Sequence, residues 1–341
     1  MCSTCHESIE LQSGTDTAEL TSTLPHAMVP AHCASTPASQ LKVWQVWQGT
    51  HTFWCDGRIM VGPDIGVTFF AALVTTAACM VFWVFVCSTL PLLVFAGSTI
   101  LYLLTLTFML LTATVDPGIV PRNMHMEDAE AASNAQATRA VEINGVSVPL
   151  KWCHTCRIWR PPRASHCSEC NVCVERFDHH CPWMGQCIGR RNYRFFIGFV
   201  VSVCSLCIYI ASFSLLAFIN VMNALKVRLL FERVVQGFQR VPLTGTMLVF
   251  PLLILLCVGP LACYHCGLVV ENKTTNEEIK GTYSINNPFS RGWRLNCQEA
   301  CCSQLEASRV HPRSLASEEL GASMWRSDGA EALRVAELPV D

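Results

Sequence analysis

The chain has 341 residues, 51% of them hydrophobic and only 15% charged, with a formal net charge of −2 and a mean hydropathy of +0.34. That balance excludes binding to nucleic acid through bulk positive charge, and it points to membrane spans. The 21 cysteines would suit a secreted disulfide scaffold, but a third of them fall in one segment with metal-ligand spacing and others sit inside apolar runs. A reducing, cytosolic setting is therefore expected for that segment.

Taken in order, residues 1–41 are rich in Ser, Thr, Ala and Pro and read as a disordered N-terminal tail. Cys2 and Cys5 are read as exposed thiols. The first 25 residues hold no Lys or Arg and no apolar core, so no secretory signal is expected. Residues 42–65, with Val43, Trp44, Val46 and Trp47, form a pre-membrane segment, a short strand or a stretch lying at headgroup level. Residues 66–87 and 91–113 contain no charge and are each long enough to cross about 30 Å of hydrocarbon. Together, residues 66–113 predict transmembrane helices 1 and 2, an antiparallel pair joined by Ser88-Thr89-Leu90. Asp116-Pro117-Gly118 then turns the chain. Residues 114–149 read as a flexible linker, and residues 150–194 as a cysteine-rich domain.

Residues 195–270 predict transmembrane helices 3 and 4, at about 195–222 and 245–270. Between them, Lys226, Arg228, Glu232 and Arg233 alternate with apolar residues in a segment suited to the opposite surface. Pro251 and Pro260 are expected to bend the fourth span. A motif-bearing segment, 271–302, precedes a second disordered tail, 303–341. The central loop carries ten Lys and Arg and the C-terminal tail eight, against none and four in the two loops on the other side. Basic residues favour the cytosol, so both termini and the central domain are expected there.

The segment from Cys153 to Phe196 holds seven cysteines and four histidines. Cysteines two apart, followed by His-Cys, have the spacing of structural zinc sites. Two closed sites need eight ligands, and three Cys plus one His at each leaves one cysteine over. Cys153 with Cys156 and Cys167 with Cys170 form two natural pairs. His166, Cys173, His180 and Cys187 complete the sites, in an allotment that spacing leaves open. Cys181 remains, with His179 two residues before it and Asp178 adjacent. Residues two apart in an extended segment share a side. His179 would then face Cys181 while His180 turns to a metal; His154 reads as a solvated loop residue. A thiol beside a histidine ionises more readily than a free one, and an aspartate fixes the imidazole, as in a nucleophile–base–orienter triad. On spacing alone, a purely structural zinc ribbon with Cys181 as ligand or spectator stays open.

In every spacing just given, and in Asn192 and Phe196 downstream, the segment resembles the cysteine-rich domain of the DHHC-type protein S-acyltransferases (palmitoyltransferases). Asp116-Pro117-Gly118, Thr274-Thr275-Asn276-Glu277 and the stretch Asn287 to Asn296 resemble that family's flanking motifs. The pre-membrane segment resembles plant-type members, although Ser290 stands where those often have Asp. The resemblance implies an α-helical polytopic membrane protein, with four transmembrane helices and a cytosolic two-zinc domain between helices 2 and 3. It implies two structural Zn2+, palmitoyl-CoA or another acyl-CoA as co-substrate, and membrane-associated protein substrates with cytosolic cysteines. Cys181 would carry the acyl group, with His179 and Asp178 as base and orienter. Thr275 would bond toward Asp178, Phe289 would dock between helices, and Asn296 would bond backbone near the Thr-Thr-x-Glu turn. Cys297, Cys301 and Cys302 are possible S-acylation sites. Arg190, Arg191 and Arg194 either meet CoA phosphates or supply the cytosolic positive charge. The family lies in Golgi, endoplasmic reticulum and plasma membranes. A membrane-anchored zinc-binding adaptor or ubiquitin ligase is the alternative, and it leaves Asp178-His179 beside an unused cysteine unexplained.

Overall fold

The computed structural model describes residues 40–123, 139–283 and 285–316. Cys2 and Cys5, the middle of the linker and the end of the C-terminal tail lie outside them. Four long helices, Ile65–Phe85, Leu92–Thr114, Tyr193–Ala224 and Pro242–Glu271, are each long and apolar enough to cross a membrane. At 1.5 Å per residue the shortest spans about 30 Å. Leu93, 82% exposed, is typical of the outward faces. Such a surface is stable only against lipid.

The first two spans are joined by a single 3-10 turn, Cys87–Thr89. Between the third and fourth lies a short helix, Leu230–Arg240, with Leu230 and Phe231 exposed. Phe218 and Phe238 pack at 4.8 Å to tie it to the third span. Pro251 and Pro260 both lie inside the one continuous fourth helix. The inner faces meet at Phe82, Val94, Leu206, Ile210 and Met247.

Small antiparallel ladders lie before the first span and between the second and third. β1 (Thr52–Trp54) and β2 (Ile59–Val61) make a hairpin before the membrane, where the sequence suggested one strand or an interfacial stretch; Val43–Gln45 is a 3-10 turn. The linker is partly ordered. β3 (Ile119–Val120) joins β8 (Ser165–Cys167) and β9 (Val172–Val174) in one sheet. β4 (Ala140–Ile143) and β5 (Val146–Pro149) form a hairpin across Asn144-Gly145. Both turn residues have positive φ, 48° and 75°, as a two-residue hairpin turn requires. β6 (Lys151–Cys153) pairs with β7 (Ile158–Arg160), and β10 (His179–Cys181) with β11 (Gln186–Ile188).

Buried amides fasten this domain to the second span. A helix ends with carbonyls that lack partners. Gln186 Nε2 donates to Thr112 O at 2.7 Å and Val115 O at 3.0 Å. Asn192 Nδ2 donates to Thr112 O at 3.2 Å and Cys187 O at 2.9 Å. Asp116 Oδ1 accepts from the amides of Gly118 and Ile119, both at 2.9 Å. Its other oxygen accepts from Arg191 at 2.9 Å and Ser308 at 2.6 Å.

The described part of the C-terminal tail is ordered, against the expectation of disorder from residue 303. Val43 and Trp44 amides donate to Ser314 O and Pro312 O. Val310 is buried against Cys167, Cys170 and Val172, and Arg309 pairs with Glu175 at 2.8 Å.

Candidate active site

The eight sequence-selected ligands gather into two groups, resolving the allotment that spacing left open. One is Cys153, Cys156, His166 and Cys173; the other is Cys167, Cys170, His180 and Cys187. The pairing is interleaved, because the β8–β9 register sets His166 opposite Cys173, with Cys167 one step along facing the other site. Sulfur-to-nitrogen separations run from 3.3 Å (Cys170 to His180 Nδ1) to 3.8 Å (Cys173 to His166 Nδ1). Bond lengths of about 2.3 Å to sulfur and 2.0 Å to nitrogen in a tetrahedron require edges of about 3.5–3.8 Å. The groups therefore fit two Zn2+. The Cys156 and Cys170 amides each donate to the preceding ligand sulfur at 3.4 Å. Arg157 and Asn171, just after them, take φ of 54° and 53° to close each turn. His180 presents Nδ1 to its sulfurs, and its Nε2 meets Asp64 Oδ2 at 2.8 Å. A carboxylate on the second nitrogen is the usual way to fix a metal-bound imidazole. His154 is exposed.

The seventh cysteine stands apart from both groups. β10 is extended, so His179 and Cys181 share one face while His180 points to the metal side. Cys181 is buried among Met109, Met184, Phe196, Val200 and Val269, at the membrane end of the domain. Pro182–Met184 form a 3-10 turn that leaves Trp183 exposed. Gly185 ends that turn at φ 74°, where its carbonyl accepts from the Asp64 amide and an added Cβ would meet Thr68 and Ile65 within 3.0 Å.

Asp178 is 1% exposed. Its Oδ2 lies 2.7 Å from His179 Nδ1, and its Oδ1 accepts from the Thr275 amide at 2.9 Å. Burial alone would raise the Asp178 carboxyl; the His179 bond and charge and the Thr275 amide outweigh it and hold the group below the usual carboxylate value. Burial likewise disfavours the charged form of His179, yet Asp178 and the Cys181 sulfur raise it to about 9. The Asp178 carboxylate therefore favours the protonated form of His179, whose ring lies beside the Cys181 sulfur.

Thr274 and Glu277 make a reciprocal capping box, and Thr275 reaches Asp178 through its main chain. Glu277 also binds Arg163 through both oxygens at 2.7 Å. Asn272, at φ 52°, ends the fourth span and accepts from Arg163 and Arg176 at 2.9 and 2.8 Å. Asn296 Nδ2 donates to Val270 O at 2.8 Å, just before that turn. Phe289 lies 4.6 Å beneath the Arg163 guanidinium and edge-on to Tyr283. Arg190 pairs with Glu306 and Glu175, Arg191 with Asp116, and Arg194 with Ser303. Cys297 is half-buried, and Cys301 and Cys302 are exposed. His265, on the fourth span, was not singled out in the sequence. It is 1% exposed beside His179 and meets the Tyr193 hydroxyl at 3.1 Å. A lone histidine in an apolar run carries no spacing signal that could have found it.

Four helices able to span a membrane, two Cys3His groups and a buried Asp178 bonded to His179 beside a free thiol make up the site. The DHHC palmitoyltransferase family model matches residues 147–282. Protein S-acyltransferase 8 of Arabidopsis thaliana is 37% identical over 309 residues, covering 82% of this chain and 73% of that protein. Palmitoyltransferase ZDHHC9 of Homo sapiens is 36% identical over 297 residues, covering 80% and 79%. Probable protein S-acyltransferase 5 of Arabidopsis thaliana is 35% identical over 301 residues; the match covers 82% of this chain and 62% of that relative's length. The chain belongs to the DHHC palmitoyltransferase family.

Proposed function

We propose that the chain moves a long-chain acyl group, palmitoyl in the first instance, from acyl-CoA to cysteine thiols of membrane-associated proteins. The reading is carried by one observation: six of the seven cysteines of the domain fall into closed metal groups, and the seventh, Cys181, shares a strand face with His179. Asp178 orients His179, which takes the Cys181 proton. The thiolate attacks the thioester carbonyl of acyl-CoA, the carbon–sulfur bond to CoA breaks, and the imidazolium returns its proton to the departing CoA thiolate. Cys181 then holds the acyl group. A substrate cysteine, deprotonated by His179, attacks that thioester and releases Cys181. One thioester is exchanged for another at each step, which is the usual logic of covalent catalysis with ping-pong kinetics.

Bound Zn2+ at the two sites would crosslink the domain and leave no open coordination position for chemistry. The apolar setting of Cys181 supports entry of the acyl chain from the membrane side, since each CH2 kept from water is worth about 0.8 kcal/mol. The Lys and Arg distribution supports a cytosolic domain and cytosolic termini in an endomembrane or plasma membrane, the Golgi among them. The ion pairs made by Arg190 and Arg191 and the hydrogen bonds from Arg194 to Ser303 favour a structural role for them over CoA binding. The exposure of Cys301 and Cys302 suits self-acylation there.

Purified protein would be incubated with labelled palmitoyl-CoA and treated with neutral hydroxylamine, beside Cys181→Ser. Label that hydroxylamine removes and the variant lacks is expected. Equal labelling of the variant would move the acyl group to Cys297, Cys301 or Cys302 and overturn the nucleophile assignment. No label on folded, zinc-loaded protein would favour the adaptor reading.

A further inference from the structure

The fourth span is apolar along its length, and His265 is an imidazole facing inward from it, 1% exposed. A polar ring at such a position is costly without a partner and marks function more often than packing. Its Nδ1 meets the Tyr193 hydroxyl, itself buried, at 3.1 Å. Its ring stands 6.0 Å from His179 and 5.0 Å from Phe196, while Phe196 meets His179 edge-on at 5.3 Å. Tyr193 closes the group, 5.8 Å from His265 and 6.3 Å from Phe196. A polar atom each of Asp178, His179 and His265 lie within 4.8 Å of one another.

The end of the fourth span and the short helix after it thus reach both members of the proposed catalytic pair. Ten residues after His265, the Thr275 amide fixes the Asp178 carboxylate. His265 itself backs the imidazole that the carboxylate orients. Phe196 walls one side of that imidazole, and Tyr193 keeps His265 from turning away. Resting on the acyl-transfer reading, we propose that His265, held by Tyr193, is a positioning residue that keeps the His179 ring aimed between Asp178 and Cys181. A phenylalanine would keep the ring contact and leave the Tyr193 hydroxyl without its partner. An alanine would remove both.

A misaimed catalytic group costs rate at saturation rather than affinity. His265→Ala is expected to lower the maximal rate of hydroxylamine-sensitive autoacylation at least about tenfold, with KM for palmitoyl-CoA within about threefold. His265→Phe recovers part of the loss. Tyr193→Phe lowers the rate in the same manner, and no further in the His265→Ala background, because the two act as one unit. Both bound zinc ions and the Tm are retained. Should His265→Ala not fold, His265→Phe and His265→Asn, which keeps a polar atom near the Nδ1 position, carry the comparison; Asn is then the faster of the two if the Tyr193 bond matters. Wild-type maximal rate in these variants, a loss confined to KM, or additive losses with Tyr193→Phe would each overturn the assignment. The rate at which iodoacetamide alkylates Cys181 gives a second readout that needs no acyl donor. Absence of acylation in the wild type would fail the functional reading alone. Slower alkylation in His265→Ala would still support the positioning role, and unchanged alkylation would overturn it.

Discussion

Asp178 is the residue on which the site turns. It is buried, and both its oxygens are occupied, one by the group it orients and one by the amide that fixes it. Asp178→Asn keeps the shape and removes the charge that holds His179 protonated. The acylation rate should fall by about 10²–10⁴, as for general acid–base groups elsewhere, with zinc content unchanged; a single-turnover assay with labelled palmitoyl-CoA checks it. A second histidine behaves in the opposite sense. His51 is 5% exposed, and neither ring nitrogen has a hydrogen-bond partner among the described residues. Burial, only partly offset by Asp116, lowers it from 6.5 to about 4. The unfolded chain takes up this proton as pH falls below 6.5, and the folded chain resists until about 4. The stability concerned is whole above 6.5 and is lost as pH falls toward 4, up to about 3 kcal/mol. His51→Phe should therefore lose less Tm between pH 7.5 and pH 5 than the wild type, which thermal unfolding in detergent would show. Residue by residue, the spacing of the metal ligands was legible in the sequence, and it singled out Asp178, His179 and Cys181 beside them. It was silent at His51, Asp64 and His265, whose roles arise only when distant elements meet.

Between elements, the work is done by buried polar groups reaching helix ends. Gln186 and Asn192 occupy the last carbonyls of the second span, and Arg163 reaches the turn after the fourth. The side chains of Arg163 and Glu277 are 6% and 5% exposed, yet they form a two-point ion pair that also spans the capping box. Removing one partner strands the other charge in the interior, at a cost of about 3–5 kcal/mol. Arg163→Ala is expected to lower Tm more than the Arg163→Ala/Glu277→Ala pair does, and to slow acylation because the turn carries the Thr275 amide. Equal Tm losses would mean that the charge pair is not what holds the turn. The sequence placed the four spans within about three residues, since twenty uncharged residues leave little freedom. It did less well on the linker. Composition argued for flexibility there, although Val141-Glu142-Ile143-Asn144-Gly145-Val146-Ser147-Val148 alternates around an Asn-Gly turn. That local hairpin signal was stronger than the composition around it.

Across the whole molecule, both ends of the described chain converge on the second zinc group. The Leu41 carbonyl accepts from the Ala316 amide at 2.7 Å, and Lys42 bridges Leu315. Val310 then inserts beside Cys167, Cys170 and Cys187, with Met60 of the pre-membrane hairpin in the same cluster. A tail that composition marks as disordered is ordered here because one apolar residue finds a cluster built from three remote segments, and no local periodicity announces that. The two metal groups should consequently differ in their dependence on the tail. Val310→Asp puts a carboxylate into an apolar cluster, at a cost of several kcal/mol. The strain falls on the group of Cys167, Cys170, His180 and Cys187, while that of Cys153, Cys156, His166 and Cys173 packs in a separate cluster with Val120 and Ile158. Under a chelator that leaves the wild type loaded, the variant is expected to retain about one zinc of two. Because His180 belongs to the weakened group and sits between His179 and Cys181, acylation should fall with that one ion. Loss of both ions together would mean that the domain unfolds as a unit, and retention of both would mean that the tail only rests on the surface.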